Sequence, residues 1–367
     1  MNIALVYDRI NKFGGAEQVL LALNEVWPKA PLYTAFYDRR KTPWADAFTI
    51  YPSFANAFPF ASRHHELYPW LAPFAFESFH FDSYNAVLSV TSAEAKSILT
   101  KPQTCHICYC LTPTRYLWSG YDIYRKNPLF SVFLSAFGSR LRRWDKISSS
   151  RPDVYIAISS LVKQRIEQYY EREVSCVIHP PVDTDLFTPP KTSRPKDLQK
   201  EYFLVVSRLV GYKRIDLLIH AFNAMRLPLL IVGDGYARPY LQSIAGPTIS
   251  FVNEKLTGEK LSQYYQYCTA FVYAAQEDFG IAAAEAQASG KPVIAYKHSG
   301  IADIVTDQTG ILFEEQTSQG IIDAVKLFKN KRFSASQCRS RAVQFSKEAF
   351  KKNIQSFVEK TLRTYSL

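Results

Sequence analysis

The stretch Tyr202 to Gly235, YFLVVSRLVGYKRIDLLIHAFNAMRLPLLIVGDG, decides the fold. Tyr202–Val206 is a short apolar run that ends in a polar, basic loop, as a buried strand does. Ile215–Met225 reads as a helix. Leu229–Val232 is a second apolar run, and it stops at the tight turn Gly233-Asp234-Gly235. Strand, loop, helix, strand at this spacing is the unit of a parallel sheet, because parallel strands need a crossover between them.

The same alternation extends outward in both directions. Downstream, Ile249–Val252, Ala270–Ala274 and Val293–Tyr296 read as strands, and Ile281–Ala288 and Gly320–Phe328 as helices, with Gly290 just past the first of these. Upstream, Ile3–Tyr7 is a strand, Gly14-Gly15 a loop, and Ala16–Val26 a helix with Val19, Leu20, Leu23 and Val26 on one face. Further strands are expected at Leu32–Phe36, Ala86–Val90, His106–Leu111 and Val154–Ile158, the last followed by a serine cap and a helix. Pro180-Pro181, Pro189-Pro190 and the polar run 191–200 mark a linker. The prediction is an α/β chain of two doubly wound parallel-sheet domains, 1–190 and 191–345, facing a cleft, with a terminal helix at 346–367. Ligands of such sheets bind at the carboxyl ends of the strands.

Composition agrees. A chain of 367 residues holds about two domains, and 47% apolar with 21% charged residues excludes collagen-like and disordered classes. Net charge is +11, which favours anionic partners. No run reaches the roughly 18 apolar residues that span a bilayer, and the start MNIALVYDR lacks a basic leader. These features predict a cytoplasmic protein. The six cysteines fit that compartment. Cys105, Cys108 and Cys110 could form a metal knuckle, but no second Cys/His pair stands at ligand spacing, so small buried strand residues are the expected reading and no metal is predicted.

The chemistry concentrates in Glu277-Asp278-Phe279-Gly280-Ile281 and, along the same segment, Glu285. Gly280 allows close backbone approach, and the amides of Phe279, Gly280 and Ile281 open a helix, which suits phosphate or sugar hydroxyls. Glu277 and Glu285 are too far apart to grip one atom, so they would hold two ends of one ligand. The structural alternative is an acid completing a helix dipole and an exposed helix glutamate. Arg208 and Lys213, at a strand end and a helix start, suit a diphosphate; a solvated basic loop is the alternative. Gly14-Gly15 lacks the lysine of a phosphate loop and would offer bare amides.

Taken together, these segments resemble the retaining glycosyltransferases of family 4 (group 1), with the GT-B architecture. Ala4–Asp8 through Gly14-Gly15-Ala16-Glu17, Ile156–Ser159, Pro180–Phe187, Arg208, Lys213 and the Glu277/Glu285 pair carry the likeness, which is nearest to bacterial O-antigen and exopolysaccharide mannosyltransferase-like enzymes. The resemblance implies transfer of a hexose, with mannose the candidate, from a GDP- or UDP-linked sugar to a glycan or lipid-linked glycan, without a metal or other cofactor. It implies that Arg208 and Lys213 hold the diphosphate and that Glu285 binds the ribose. Glu277 would touch the sugar beside Asp278, Phe279, Gly280 and Ile281. Gly14 and Gly15 would lie near the diphosphate or acceptor, and the C-terminal helices would pack back on the first domain. Leu111 stands where relatives carry a histidine facing the sugar; Thr112 and His298 are further contact candidates, and Asn253 and Asp303 also depart from the pattern. Leu111 supports an alternative, a catalytically weakened nucleotide-sugar-binding subunit serving an active partner.

Two basic stretches remain. Lys326 to Lys352 has nine Lys/Arg and one acid, and Arg125 to Lys146 has six and one. The second encloses Leu129, Phe130, Val132, Phe133, Leu134 and Phe137, a pattern suited to an anionic membrane's inner face or to a core-packed helix with a basic outer side. No nucleic-acid motif appears. Sixteen aromatics between Tyr33 and Tyr84 are expected to fill the first domain's core, with part lining an acceptor or lipid surface.

Overall fold

The computed structural model describes residues 1–59, 71–125, 128–195, 198, 201–252 and 256–365. The chain divides into two compact units, Met1–Pro180 with Phe350–Leu367, and Pro181–Ala349.

The first unit is built on seven parallel strands: β1 Ile3–Ile10, β2 Leu32–Tyr37, β3 Ile50–Pro52, β4 Ala86–Thr91, β5 Cys105–Cys110, β6 Val154–Ala157 and β7 Cys176–Val177. Their order is β3-β2-β1-β4-β5-β6-β7. Leu5 of β1 registers with Leu32 on one side and Leu88 on the other, so the winding reverses beside β1. Helices α1 Gly15–Val26, α2 Ala72–Glu77, α3 Tyr121–Arg125, α4 Pro128–Ser148 and α5 Ser160–Tyr170 belong to this unit. The second unit has six parallel strands: β8 Phe203–Val206, β9 Leu229–Val232, β10 Ile249–Val252, β11 Phe271–Tyr273, β12 Val293–Tyr296 and β13 Gly310–Phe313. They are ordered β10-β9-β8-β11-β12-β13, reversing beside β8. Its helices are α6 Ile215–Met225, α7 Arg238–Ser243, α8 Gly258–Tyr267, α9 Ile281–Ala288, α10 Ser318–Lys329 and α11 Ala335–Val343, and α12 Lys347–Tyr365 ends the chain. The expected α/β class and double winding are found in both units.

Both sheets have buried centres. Every residue of β4 and β5 is buried, and Leu218, Ile219 and Phe222 of α6 are fully covered, each contributing about 1.5–3 kcal/mol by leaving water. Cys105, Cys108 and Cys110 lie along β5 as free, buried thiols. Burial pushes Cys105 up to about 12, which opposes the thiolate a metal needs; the core reading holds. Ala35, Phe36, Phe76 and Phe81 share one apolar cluster, with Tyr33, Phe79 and Tyr84 packed against it. Much of the aromatic block is therefore core. Tyr51, Phe54, Phe58 and Phe74 stay exposed, while Phe60, Tyr68 and Trp70 lie outside the described residues.

Three differences from the sequence expectation have local causes. β3 is an edge strand ending in proline, β7 has two residues, and β13 has four and opens on a glycine, so none shows a long apolar alternation. The break between units falls at Pro180 rather than 190, because residues 181–190 are bonded into the second unit: Val182 N donates to Phe345 O, and Gln266 Nε2 to Thr188 O. Only the last helix, from Phe350 onward, belongs to the first unit; Tyr109 meets Phe350 edge-on at 5.8 Å. Helix α11 stays with the second unit, where Arg339 Nη1 donates to Phe187 O and Ala288 O.

Candidate active site

The second unit gathers its polar side chains at the carboxyl ends of β8, β11 and β12. After β8 the chain makes a short turn over Gly211–Lys213 before α6. Gly233, beyond β9, has φ +139, and a Cβ there would come 1.8 Å from Ser207 O. That close pass holds the β8 loop against the β9 turn, where Leu209 N also donates to Asp234 O.

Lys213 and Glu277 meet directly. Lys213 Nζ bonds Glu277 Oε1, and the Tyr273 hydroxyl donates to the same oxygen. The pair is largely shielded from solvent. Lys213 is therefore not a loose solvated cation, and Glu277 is not merely a dipole partner. The Glu277 backbone is fixed as well, with its N–H on Ser299 Oγ and its carbonyl accepting from Gly300 N. Arg208 is exposed, and its Nη2 donates to the Tyr212 hydroxyl at 2.7 Å. Lys213 Nζ lies 5.1 Å from the Tyr212 ring centre, so Tyr212 links the two cations.

Gly280 caps α9 with φ +100, and any Cβ there would meet Ile301 Cγ1 at 2.4 Å. Only glycine lets the loop turn into the helix so close to the following element. The first helical bond is made by Ala283 N to Gly280 O, so the Ile281 and Ala282 amides precede the ladder. Phe279 packs its ring on Phe345. Glu285, on α9, is buried and accepts from the Tyr265 hydroxyl at 2.9 Å. The exposed-glutamate alternative is thereby removed. Burial drives its carboxyl up to about 7, with the Tyr265 bond opposing that rise and Asp183 adding to it. His298 instead projects to the surface, 3.2 Å from Glu314. Asn253 lies outside the described residues.

In the first unit, Gly14 caps α1 in extended backbone, with Gly15 opening the helix. Leu111 follows β5 at 8% exposure, and its N–H donates to Thr91 O. The neighbouring Thr112 is buried, and its hydroxyl has no hydrogen-bond partner among the described residues. Sequence reading missed a larger feature beside them. Asp8, near the end of β1, accepts from Thr91 Oγ1, Ser92 N and Ala95 N. Glu94 pairs with Arg9 and accepts from Tyr116. Lys96 is buried against Asp145, which also accepts from Thr114 and Trp118. The available signal was a set of charged residues inside an otherwise apolar domain edge.

Tyr273 and Tyr265 were missed too: Tyr273 reads as one residue of the expected strand Ala270–Ala274, and the sequence reading gave Tyr265 no element at all. Among the described residues no group of three or more His, Cys, Asp or Glu is arranged to hold a metal, and no helix is long and apolar enough to cross a membrane.

Residues 190–352 match the family Glycosyl transferases group 1. Two relatives are a D-inositol 3-phosphate glycosyltransferase of Mycobacteroides abscessus and a GDP-mannose-dependent alpha-mannosyltransferase of Mycobacterium tuberculosis. The first is 33% identical over 41% of this chain and 38% of its own length. The second is 38% identical over 29% and 28%. The chain thus spans less than half the length of either. Among solved structures, the sucrose-phosphate synthase of Thermosynechococcus elongatus superposes with TM-score 0.76 at 18% identity, covering 99% of this chain and 100% of that one. Anabaena HepE in complex with UDP and glucose gives 0.72 at 18%, covering 98% and 99%. The fold is GT-B, and the match to the group 1 model falls almost wholly within the second unit.

Proposed function

We propose that this protein is a retaining glycosyltransferase that moves a hexose from a nucleotide diphosphate sugar to a glycan or lipid-linked glycan, without a metal. The observation that carries the reading is the Lys213–Glu277 pair, set among Arg208, Gly280 and Glu285 inside the matched domain. Arg208 and Lys213 supply positive charge for a diphosphate, and the Ile281 and Ala282 amides add donors at a helix start. Glu277 faces the transferred sugar, and Glu285 binds the ribose. In the transfer, the bond from the anomeric carbon to the phosphate oxygen breaks and one to the acceptor oxygen forms. The acceptor's proton passes to the leaving phosphate. Charge neutralised by side chains asks for no metal. Gly14, Gly15, Leu111 and Thr112 form the acceptor-side candidates.

Mannose as the transferred sugar has support from the mannosyltransferase name of one relative, and a UDP-linked donor from the ligands of HepE. Relatives named as transferases give the scaffold alternative no support. We place the activity in the cytoplasm, at the inner membrane face. Helix α4 exposes Val132 (72%), Phe137 and Ile147 beside the exposed Arg140 and Arg143, a combination suited to anionic lipid. The test is a panel of GDP- and UDP-sugars with the purified protein, followed by NMR of the product. Cleavage of one donor with its anomeric configuration kept is expected. No cleavage of any donor, or inversion, would overturn the reading.

A further inference from the structure

Glu277 takes two hydrogen bonds on one oxygen. Lys213 Nζ and the Tyr273 hydroxyl both donate to Oε1, and among the described residues no donor meets Oε2. Ser207 Oγ lies 3.0 Å from the Tyr273 oxygen. A tyrosine hydroxyl has one proton. With that proton on Glu277, the serine is the donor of any bond between the two, and Arg208 O, 3.2 Å from the same Oγ, competes for its single proton. A line of contacts therefore runs from the end of β8 through the end of β11 to the glutamate.

The two donors do different work. Lysine is a compact charge on a flexible stem; it neutralises the carboxylate but leaves its plane free to turn. Tyr273 closes β11, is almost fully buried, and lies parallel to the Phe271 ring at 5.8 Å. Its hydroxyl is thus held at a fixed point of the sheet. A second, rigid donor on the same oxygen sets the carboxylate's rotation and leaves Oε2 without a donor among the described residues.

We infer that Tyr273 is a positioning residue for sugar recognition: with Lys213 it pins Oε1 so that Oε2 of Glu277 faces the hydroxyls of the transferred sugar. This rests on the reading of Glu277 given above. It assigns Tyr273 to the sugar and not to the nucleotide, because the tyrosine acts only through Glu277.

The experiment is calorimetric titration of the full-length protein with GDP-mannose, UDP-glucose, GDP and UDP. Tyr273→Phe keeps the ring and removes only the hydroxyl. It should weaken the nucleotide sugar that the wild type binds by about tenfold, the scale of one hydrogen bond to a charged group, and leave the matching nucleoside diphosphate unchanged. In a Glu277→Gln background that extra loss should shrink sharply, since coupled residues are non-additive. Ser207→Ala, which leaves both rings in place, should give a smaller loss of the same selectivity; it serves as the readout should Tyr273→Phe fail to fold.

Unchanged binding of both ligand types by Tyr273→Phe overturns the inference. So does a parallel loss for sugar and diphosphate, which marks general damage. Glu277→Gln separates the two levels. If that variant binds the nucleotide sugar as the wild type does, the parent reading of the site fails and this inference with it. If it is weakened while Tyr273→Phe is not, only the role of Tyr273 is wrong. A wild type that binds none of the four ligands likewise sinks the parent reading.

Discussion

The Tyr265 hydroxyl donates to Oε2 of Glu285 at 2.9 Å, and both side chains are buried. One bond does not offset the burial, so the carboxyl is pushed up to about 7. The consequence for stability has a definite sign. From the usual 4.5 up to about 7, the folded state keeps a proton that the unfolded chain releases. Stability therefore falls as pH rises through that window, and the penalty is complete above it. Glu285→Gln cannot ionise. It should raise the unfolding free energy at pH 8 by on the order of 2–3 kcal/mol relative to its effect at pH 4. Denaturant melts at the two pH values check this, and a difference that does not vary with pH would refute the assignment.

Arg208 and Lys213 should separate experimentally although both are cations beside the same loop. Arg208 is exposed and holds Tyr212, so Arg208→Ala should change stability by no more than about 0.5 kcal/mol. Lys213→Ala leaves the carboxylate of Glu277 without its counter-charge and should destabilise by about 1–3 kcal/mol. If both clamp a diphosphate, each loss should cut turnover by about 10²–10³-fold. Steady-state kinetics paired with melts decide this: wild-type turnover by Lys213→Ala would remove the clamp.

Much of this was legible in residue order because it is local. The β8–α6–β9 unit lies within residues 202–235, and five of its six expected boundaries match the structure, all but the start of the first strand. Gly280 between Glu277 and Glu285 could be read for the same reason. What was hidden depends on partners brought together by folding. Lys213 and Glu277 are 64 positions apart, Tyr265 and Glu285 20, and Asp8 and Ala95 87. Tyr273 looks like any strand aromatic until its hydroxyl is seen on Glu277. Lys96, in Ser-Ala-Glu-Ala-Lys, has the look of a solvated loop; only the distant Asp145 makes it a core residue.

The charge arrangement also predicts the response to chelation. The reading assigns neutralisation of the leaving diphosphate to Arg208, Lys213 and helix amides, with no step that calls on a divalent ion. Donor cleavage should therefore persist in excess EDTA, with turnover unchanged within about twofold. Loss of turnover in EDTA, restored by magnesium or manganese, would show that the leaving-group chemistry has been misassigned.

The buried pair Lys96–Asp145 should make the first unit sensitive to loss of either partner alone. Lys96 Nζ donates to Asp145 Oδ1 at 2.5 Å, to Ala93 O at 2.6 Å and to Thr114 Oγ1 at 3.0 Å. Asp145 also accepts from Thr114 at 2.7 Å and Trp118 at 2.7 Å. The network ties the loop after β4 to α4 and to the segment after β5. Burial alone would lower the lysine's pKa, but Asp145 outweighs it and holds the ammonium above its ordinary range. Lys96→Met fills much of the same volume yet leaves a carboxylate buried without its counter-charge, a loss of about 3–5 kcal/mol. Replacing both partners, Lys96→Met with Asp145→Leu, removes the stranded charge and should recover part of that loss, although Thr114 and Trp118 then lose an acceptor. Denaturant midpoints of the single and double variants check the order. A double variant less stable than Lys96→Met would mean that the hydrogen bonds to Thr114 and Trp118, not the ion pair, hold this part of the unit together.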